Sequence, residues 1–455
     1  MPYPETYLIK ATTLKSENFN PRNYDPVFLF VKNRLNDYPK INTLLTSPVR
    51  GGSTPPYWFF QTYSDDGIPF VKTSEIRRDI ININELYFIK RKYHEKFLKR
   101  SITRPFDVIY SMTGKFMGKA ALCPPQITEL NMSQNSVVFH CKSSQEAAFL
   151  CIYLNSSINQ RQVKGSYSIT KQKYINQTRI GDLKTIPYNE RYKEPIETYL
   201  KGLERYYSAT YAIRNIINEF NLLLGIPETI FNKPISFSVK FNKLEKLIMT
   251  PQYYHEEFSK MVGNTEFESS TVLKGRSKKG NEIGSINYLF EGIPVIKTSD
   301  LLNFDIDYQP NYYCSEEIYK ETNQDLRKGD ILFTKDGKIG ETALLGNLAK
   351  AVISSGVVRL RPESIDERYW WFLVLSSNYG KVQFEKWTVI ASTMAHLRRE
   401  FLENFRFPSI EDNKRSRFIK ALELAFQEKW DAYATLNDAK NRVLDYLYEV
   451  IGKSE

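Results

Sequence analysis

Two stretches of the chain place apolar residues at alternating steps of three and four. The first runs through Ile196, Tyr199, Leu203, Tyr206, Thr210, Ile213, Ile217, Phe220 and Leu224, with Thr210 its single polar member. The second runs through Phe418, Leu422, Ala425, Lys429, Ala432, Leu436, Ala439, Val443, Tyr446 and Val450, broken only by Lys429. This is the a/d pattern of a helical seam. Pro195 stands at a permitted first-turn position, and Gly225 and Gly452 supply the stops. The spacing predicts two long helices, each roughly 40–50 Å at ~1.5 Å per residue. Each stripe is most simply buried against the other, and helices separated by a globular segment pair most economically antiparallel.

The rest of the chain reads in shorter pieces. Asp25-Pro26 opens a helix through Val31 and Leu35. Residues 68–138 are mostly short strands (80–83, 108–110, 137–139) broken by turns. Residues 147–154 read as a helix, 172–183 as helix-like, and Trp370-Trp371 lie in a further helix. The insert Lys274-Gly-Arg-Ser-Lys-Lys279 reads as a basic, mobile loop.

These pieces occur twice. Asp107 to Leu122, DVIYSMTGKFMGKAAL, answers Asp330 to Leu345, DILFTKDGKIGETALL, 223 residues later (107 to 330). Gly67-Ile-Pro-Phe-Val-Lys-Thr-Ser answers Gly292-Ile-Pro-Val-Ile-Lys-Thr-Ser, 225 later (67 to 292). Ile186-Pro187 before one long helix answers Phe407-Pro408 before the other, and Asn20-Pro21 loosely answers Thr250-Pro251. The chain is therefore expected to be α+β: two tandem, pseudo-twofold-related domains of small mixed sheets with short helices, and two long helices in an antiparallel coiled coil. The expected boundaries are 1–188, 189–226 for the central helix, 227–409, and 410–455 for the terminal helix.

Composition narrows the chemistry. With 63 Lys+Arg against 52 Asp+Glu the formal charge is +11, and 30 Tyr and 28 Phe accompany it. That is compatible with nucleic-acid binding and equally with a basic soluble enzyme. No apolar run reaches a membrane span and the first residues do not read as a signal peptide. Cys123, Cys141, Cys151 and Cys314 have no paired spacing, which fits free thiols in a reducing cytoplasm. No metal site is expected.

The candidate contacts follow the repeats. Lys335-Asp336-Gly337-Lys338 reads as a tight turn needing positive φ at the glycine, holding lysines and Thr334 where phosphate can meet them; Lys115 and Lys119 belong to the first copy. A basic turn is also an ordinary solvated loop. Arg50-Gly51-Gly52-Ser53-Thr54 forms a shaped loop with phosphate donors, or merely connects strands. The twin Lys-Thr-Ser sets, Lys72, Thr73, Ser74 and Lys297, Thr298, Ser299, join them. So do two hydroxyl-rich stretches expected to lead into short basic helices: Lys164, Ser166, Tyr167, Ser168, Thr170 and Lys171, and Thr388, Ser392, Thr393, His396, Arg398 and Arg399. A helix N-terminus with such neighbours seats phosphate, although helix capping explains hydroxyls too. Lys115, Lys335 and Lys338 are assigned mainly to phosphate, and Ser392, Thr393, His396 and Arg398 to base edges.

The order of globular domain, long helix, globular domain, long helix resembles the specificity (S) subunit of Type I restriction–modification enzymes. So do the Gly51–Pro55 loop, the Lys328–Gly340 block and the hydroxyl-rich stretches before Ile-Pro or Phe-Pro. The resemblance covers essentially the whole chain, and its specific part is the repeated order of degenerate motifs. It implies two target recognition domains, each reading half of a bipartite double-stranded DNA site across a spacer set by the helices. It also implies a non-catalytic, phage-defence subunit that recruits two methyltransferase (M) subunits and restriction/translocase (R) subunits. S-adenosylmethionine, ATP and Mg would then belong to those partners, with no cofactor on this chain. The first copy, Ser111 to Gly118, departs by one extra residue. Thr54-Pro55-Pro56-Tyr57 is not the Asn/Asp-Pro-Pro-Tyr of amino-methyltransferases, because threonine offers the amine no carbonyl or carboxylate. No Gly-x-x-x-x-Gly-Lys-Ser/Thr and no Asp…Glu-x-Lys triplet is present. The alternatives are a self-sufficient DNA nuclease with an unrecognised site and a scaffold that does not bind DNA.

Overall fold

The computed structural model describes residues 24–61, 67–166, 168–169, 173–226, 238–240, 244, 251–254, 267–269, 271–346, 350–391 and 394–452. Asn20-Pro21 lies outside them. Contacts divide the chain into two units, Tyr3–Ser208 with Asp431–Glu455, and Ala209–Trp430 with Met1–Pro2. Both divisions fall within the long helices, Lys193–Leu223 and Asp412–Ile451.

In the first unit the helix Pro26–Arg34 starts where Asp25 caps it, its Oδ1 accepting from the Val27 and Phe28 amides. One sheet has strand order Arg50–Gly51, Ser136–Phe139, Val108–Ser111, Ala120–Leu122, all antiparallel. A second has the order Phe60–Gln61, Tyr87–Lys90, Gly67–Val71, Asn131–Met132, the last pair parallel. Residues 80–83 do not form a strand: Ile81 makes a single bridge to Ile76, and Ile83–Glu85 is a 3-10 turn. The helix Ser144–Asn155 is apolar almost all round and fully buried from Ala147 to Leu154.

The second unit repeats this topology. Its main sheet has the order Ser277–Lys279, Val357–Leu360, Ile331–Thr334, Thr342–Leu344, and Ile293–Ile296 pairs in parallel with Val352–Ile353. Of the supposed loop 274–279, Lys274-Gly275 end a short helix and Ser277–Lys279 is the edge strand that answers Arg50–Gly51; Lys278 and Lys279 sit at the rim, where charge discourages edge-to-edge pairing. The buried helix Ile365–Ser376 carries Trp370 and Trp371 inward. Serine caps recur at matching places: Ser143 and Ser364 accept from the Glu146 and Glu367 amides, and Ser156 and Ser377 from Asn159 and Gly380.

The long helices pack antiparallel within each unit. In the first, Arg442 grips Glu194, Arg191 reaches Glu449 at 3.3 Å, and Tyr206 meets Tyr433. In the second, Phe220 meets Phe418 at 5.5 Å between ring centroids, and Arg417 lies 3.3 Å from Glu219. The seam is buried as spaced from Ile196 to Phe220 and from Phe418 to Val443. Beyond that, Leu447 and Ile451 are buried while Tyr446 and Val450 are only half-buried. A helix of 3.6 residues per turn drifts ~20° per heptad against a 3.5 repeat, so the buried stripe slips by one position at the end. Gly225 and Gly452 both end their helices at positive φ, +65° and +84°.

At Gly202 the two helix backbones come close. A Cβ there would stand 2.9 Å from the Leu436 nitrogen and 3.0 Å from its Cα. Gly202→Ala should therefore lower stability by about 1–3 kcal/mol through overpacking, against the ~1 kcal/mol that helix propensity alone would add. Calorimetric unfolding decides the sign, and a stabilised variant would mean the two backbones are not in contact.

Candidate nucleic-acid interface

The Gly337 turn does not stand out as a free protrusion. Gly337 has the expected positive φ, +75°, but the turn is strapped onto a neighbouring hairpin. Residues expected to form a hydroxyl-rich loop and basic helix instead form the antiparallel strands Thr388–Ala391 and Met394–Leu397. The run of β-branched residues Thr388, Val389 and Ile390 favours strand over helix here. The Gly337 amide donates to the Ala395 carbonyl at 2.9 Å, and the Leu397 amide to the Lys335 carbonyl at 2.8 Å. Asp336 and His396 are bridged across the junction, and the His396 Nδ1 lies 2.8 Å from the Asp336 Oδ1. Lys335 donates to the other oxygen, Oδ2, at 2.7 Å. Burial pushes the Asp336 carboxyl up, but the hydrogen bonds from Lys335 and His396 outweigh it and hold it below the usual carboxylate range. Acidification should therefore loosen the junction. A depressed folded-state pKa gives stabilisation that is present above the ordinary Asp range and lost as pH falls through the depressed value.

The Lys-Thr-Ser loop converges on the same place. The Lys335 amide donates to the Gly356 carbonyl, and a Cβ on Gly356 would meet the Thr298 Cγ2 at 2.7 Å and the Asp336 Cβ at 3.5 Å. Thr334 is buried: its hydroxyl donates to the Lys338 carbonyl and accepts from the Glu341 amide, closing the turn from inside. Lys338 is exposed and 3.2 Å from Glu341.

The first unit builds the same junction from different side chains. The strands Ser168–Ile169 and Lys173–Tyr174 form the hairpin, where a helix over 172–183 was expected; only Gln177–Gly181 is helical. Thr113 is bridged to Tyr174 as Asp336 is to His396, and the Ile175 amide donates to the Met112 carbonyl. The Met112 amide donates to the Asn135 carbonyl, the counterpart of Gly356. Thr54 reaches this loop, its Oγ1 3.4 Å from the Gln134 amide. Lys115 lies exposed on the turn, its Nζ 4.9 Å from the Phe116 ring centroid.

Other candidate residues are placed differently. Lys72 and Lys297 sit in matching aromatic cages: Lys72 Nζ is 3.3 Å from the Tyr87 and 5.5 Å from the Phe60 centroids, Lys297 Nζ 4.1 and 4.0 Å from Tyr288 and Tyr312. Their own rings hold these ammonium groups. Lys72 and Lys297 amides donate to Glu75 and Asp300, which fixes the Thr73-Ser74 and Thr298-Ser299 turns; Ser74 also bonds Glu75. Lys119 is only 4% exposed, withdrawn beneath Phe116, so a surface contact does not fit it. Lys164 lies 3.9 Å from Asp25, the cap of the first helix. Thr388 donates to the Phe384 carbonyl, whereas Arg50 and Arg399 are exposed and Arg398 is half-buried. Gly51 and Ser53 are half-buried beside a buried Gly52. Ser166 and Ser168 end a helix and start a strand. Tyr167, Thr170, Lys171, Ser392 and Thr393 lie outside the described residues.

Sequence reading missed Tyr174, which is 42% exposed on the hairpin. Its signal was present: it stands 222 residues before His396, within the repeat spacing. Among the described residues no group of three or more His, Cys, Asp or Glu is placed to hold a metal ion, and no helix is long and apolar enough to cross a membrane. All four cysteines are free thiols.

Two copies of one sheet domain, each with a turn strapped to a hairpin, make this an internally duplicated protein. Residues 270–424 match the model of the Type I restriction modification DNA specificity domain. No curated protein matches. Among solved structures, the Type I restriction–modification S subunit from M. genitalium is 13% identical over 92% of this chain and 98% of that one, with a TM-score of 0.34. The HsdS subunit from Thermoanaerobacter tengcongensis is 17% identical over 91% and 96%, with a TM-score of 0.27. The match over residues 270–424 lies within the second unit, whose topology the first unit repeats.

Proposed function

We propose that each unit reads one half of a bipartite double-stranded DNA site, through its turn–hairpin junction. The observation that carries this reading is the contrast between the junctions: the backbone connections repeat, while the outward pair changes from Thr113 and Tyr174 to Asp336 and His396. A scaffold that is kept while its presented groups differ suits two readers of different sequences. Exposed Lys115 and Lys338 serve phosphate, which positions without specifying. Lys335 is tied to Asp336 and serves the junction instead. The specificity subunit directs M subunits, which carry S-adenosylmethionine, and R subunits, which use ATP and Mg; this chain binds none of these cofactors.

Salt titration of DNA binding by the reconstituted complex tests the assignment. Lys115→Ala and Lys338→Ala should each weaken all sequences alike and reduce the slope of log K against log salt by about one unit. Lys335→Ala should leave the slope nearly unchanged and alter base preference in one half-site. Reversal of those two patterns would contradict the proposal.

A further inference from the structure

We infer that Asp336 sets the hydrogen-bonding sense of His396, so that its outward nitrogen accepts from an exocyclic amino group, selecting adenine or cytosine at one position. This rests on the DNA-reading proposal above and specifies its chemistry in the second unit.

The argument starts from the carboxylate. An ionised carboxylate only accepts hydrogen bonds, so the imidazole nitrogen facing it, Nδ1 at 2.8 Å from Oδ1, must carry a proton. In the neutral ring the other nitrogen, Nε2, is then unprotonated and an acceptor. The His396 side chain is 47% exposed while Asp336 is 19%, so the ring is the part presented outward. The ring is held from both sides of the junction. The Gly337 and Leu397 amide bonds flank the pair, and Lys335 engages the second carboxylate oxygen at 2.7 Å. In the major groove amino donors are carried by adenine N6 and cytosine N4, whereas guanine and thymine present acceptors at the corresponding edge. An acceptor at Nε2 therefore favours adenine or cytosine on the strand it faces. The matching position of the first unit carries Tyr174, whose hydroxyl both donates and accepts, so this sense is peculiar to the second unit.

The same geometry supplies a test that a merely structural role would not satisfy. In Asp336→Asn the Lys335 ammonium, which only donates, keeps the amide oxygen on its own side. The amide NH2 then faces Nδ1 and donates to it, so the proton moves to Nε2, now a donor. Base preference should reverse, not simply fade.

The experiment is selection from a randomised DNA library by the reconstituted complex at about pH 8. Wild type should favour adenine or cytosine at one position of one half-site by about 5- to 150-fold. His396→Ala should level the four bases there and leave the other half-site unchanged, and Asp336→Asn should turn the preference to guanine or thymine. An unchanged profile in His396→Ala, or loss without reversal in an Asp336→Asn complex that still selects the other half-site, overturns the inference. Nitrogen-15 NMR of the full chain, with its four histidines labelled, adds a readout independent of that variant. The resonances lost in His396→Ala should show a protonated Nδ1 and bare Nε2; the opposite tautomer overturns the inference as well. Absence of any sequence selection by wild type would instead defeat the DNA-reading proposal itself.

Discussion

Lys440→Met is expected to destabilise the first unit by about 3–5 kcal/mol. Its ammonium, 4% exposed as a residue, lies 2.9 Å from the Asp79 Oδ2, and the other oxygen takes Asn155 at 3.1 Å and Tyr199 at 3.2 Å. Removing the cation leaves a carboxylate buried among neutral donors, far from water. Asp79 also has φ +73° and joins the sheet through its amide bond to Ala120, so loss of the pair disturbs the domain where it meets the terminal helix. Adding Asp79→Asn to Lys440→Met should recover part of the loss, because asparagine tolerates the left-handed backbone and carries no charge. Denaturant unfolding of the three variants checks this, and a Lys440→Met chain within ~0.5 kcal/mol of wild type, the usual range of an innocuous surface change, would refute it. The second unit has its own buried pair, Lys429 and Asp305 at 3.6 Å, with Trp430 and Tyr308 also on the carboxylate. There burial drives the lysine pKa down and the aspartate pKa up.

The second large effect concerns two glycines. A Cβ on Gly52 would lie 2.4 Å from the carbonyl oxygens of Met132 and Ser133; on Gly280 it would lie 2.4 Å and 2.2 Å from those of Ile353 and Ser354. These are backbone atoms, which cannot swing aside as a flexible side chain can. Alanine at either position should cost at least the ~1–3 kcal/mol of ordinary overpacking. It should also displace the loops at Asn135 or Gly356 that seat the recognition turns. Gly52→Ala should thus blur the half-site read by the first unit only, and Gly280→Ala the other. Selection of bound DNA with each variant tests this, and equal loss in both half-sites would speak against local damage.

The long helices and the duplication were legible because both are one-dimensional signals. A 3,4 spacing sustained over four heptads and motifs recurring at 221–225 residues need no geometry to be read. Where the seam ends was not legible: the slip to Leu447 and Ile451 depends on how far a straight helix drifts. The candidate site was visible as parts but not as an assembly. Lys335, Asp336 and His396 were all singled out, yet sequence spacing cannot show that residues 60 apart (336 to 396) become cross-strand neighbours. The 388–397 stretch was misread as loop and helix because its hydroxyls suit a cap as well as a strand. The equivalence of Gly52 and Gly280 was hidden by the unrelated residues around them, Ser53-Thr54-Pro55 and Asn281-Glu282-Ile283. Lys440 gave no signal at all, since a lysine on a helix is ordinarily solvated.

The central claim is that this chain supplies sequence specificity through two separate readers. Mapping DNA methylation in cells that carry the partner methyltransferase subunits, with wild-type chain, Tyr174→Ala, His396→Ala or no chain, tests it most directly. The account predicts a bipartite methylated motif with wild type, relaxation of one position in one half with Tyr174→Ala and in the other half with His396→Ala, and loss of the motif without the chain. A motif that persists without the chain, or two variants that alter the same half, would contradict it.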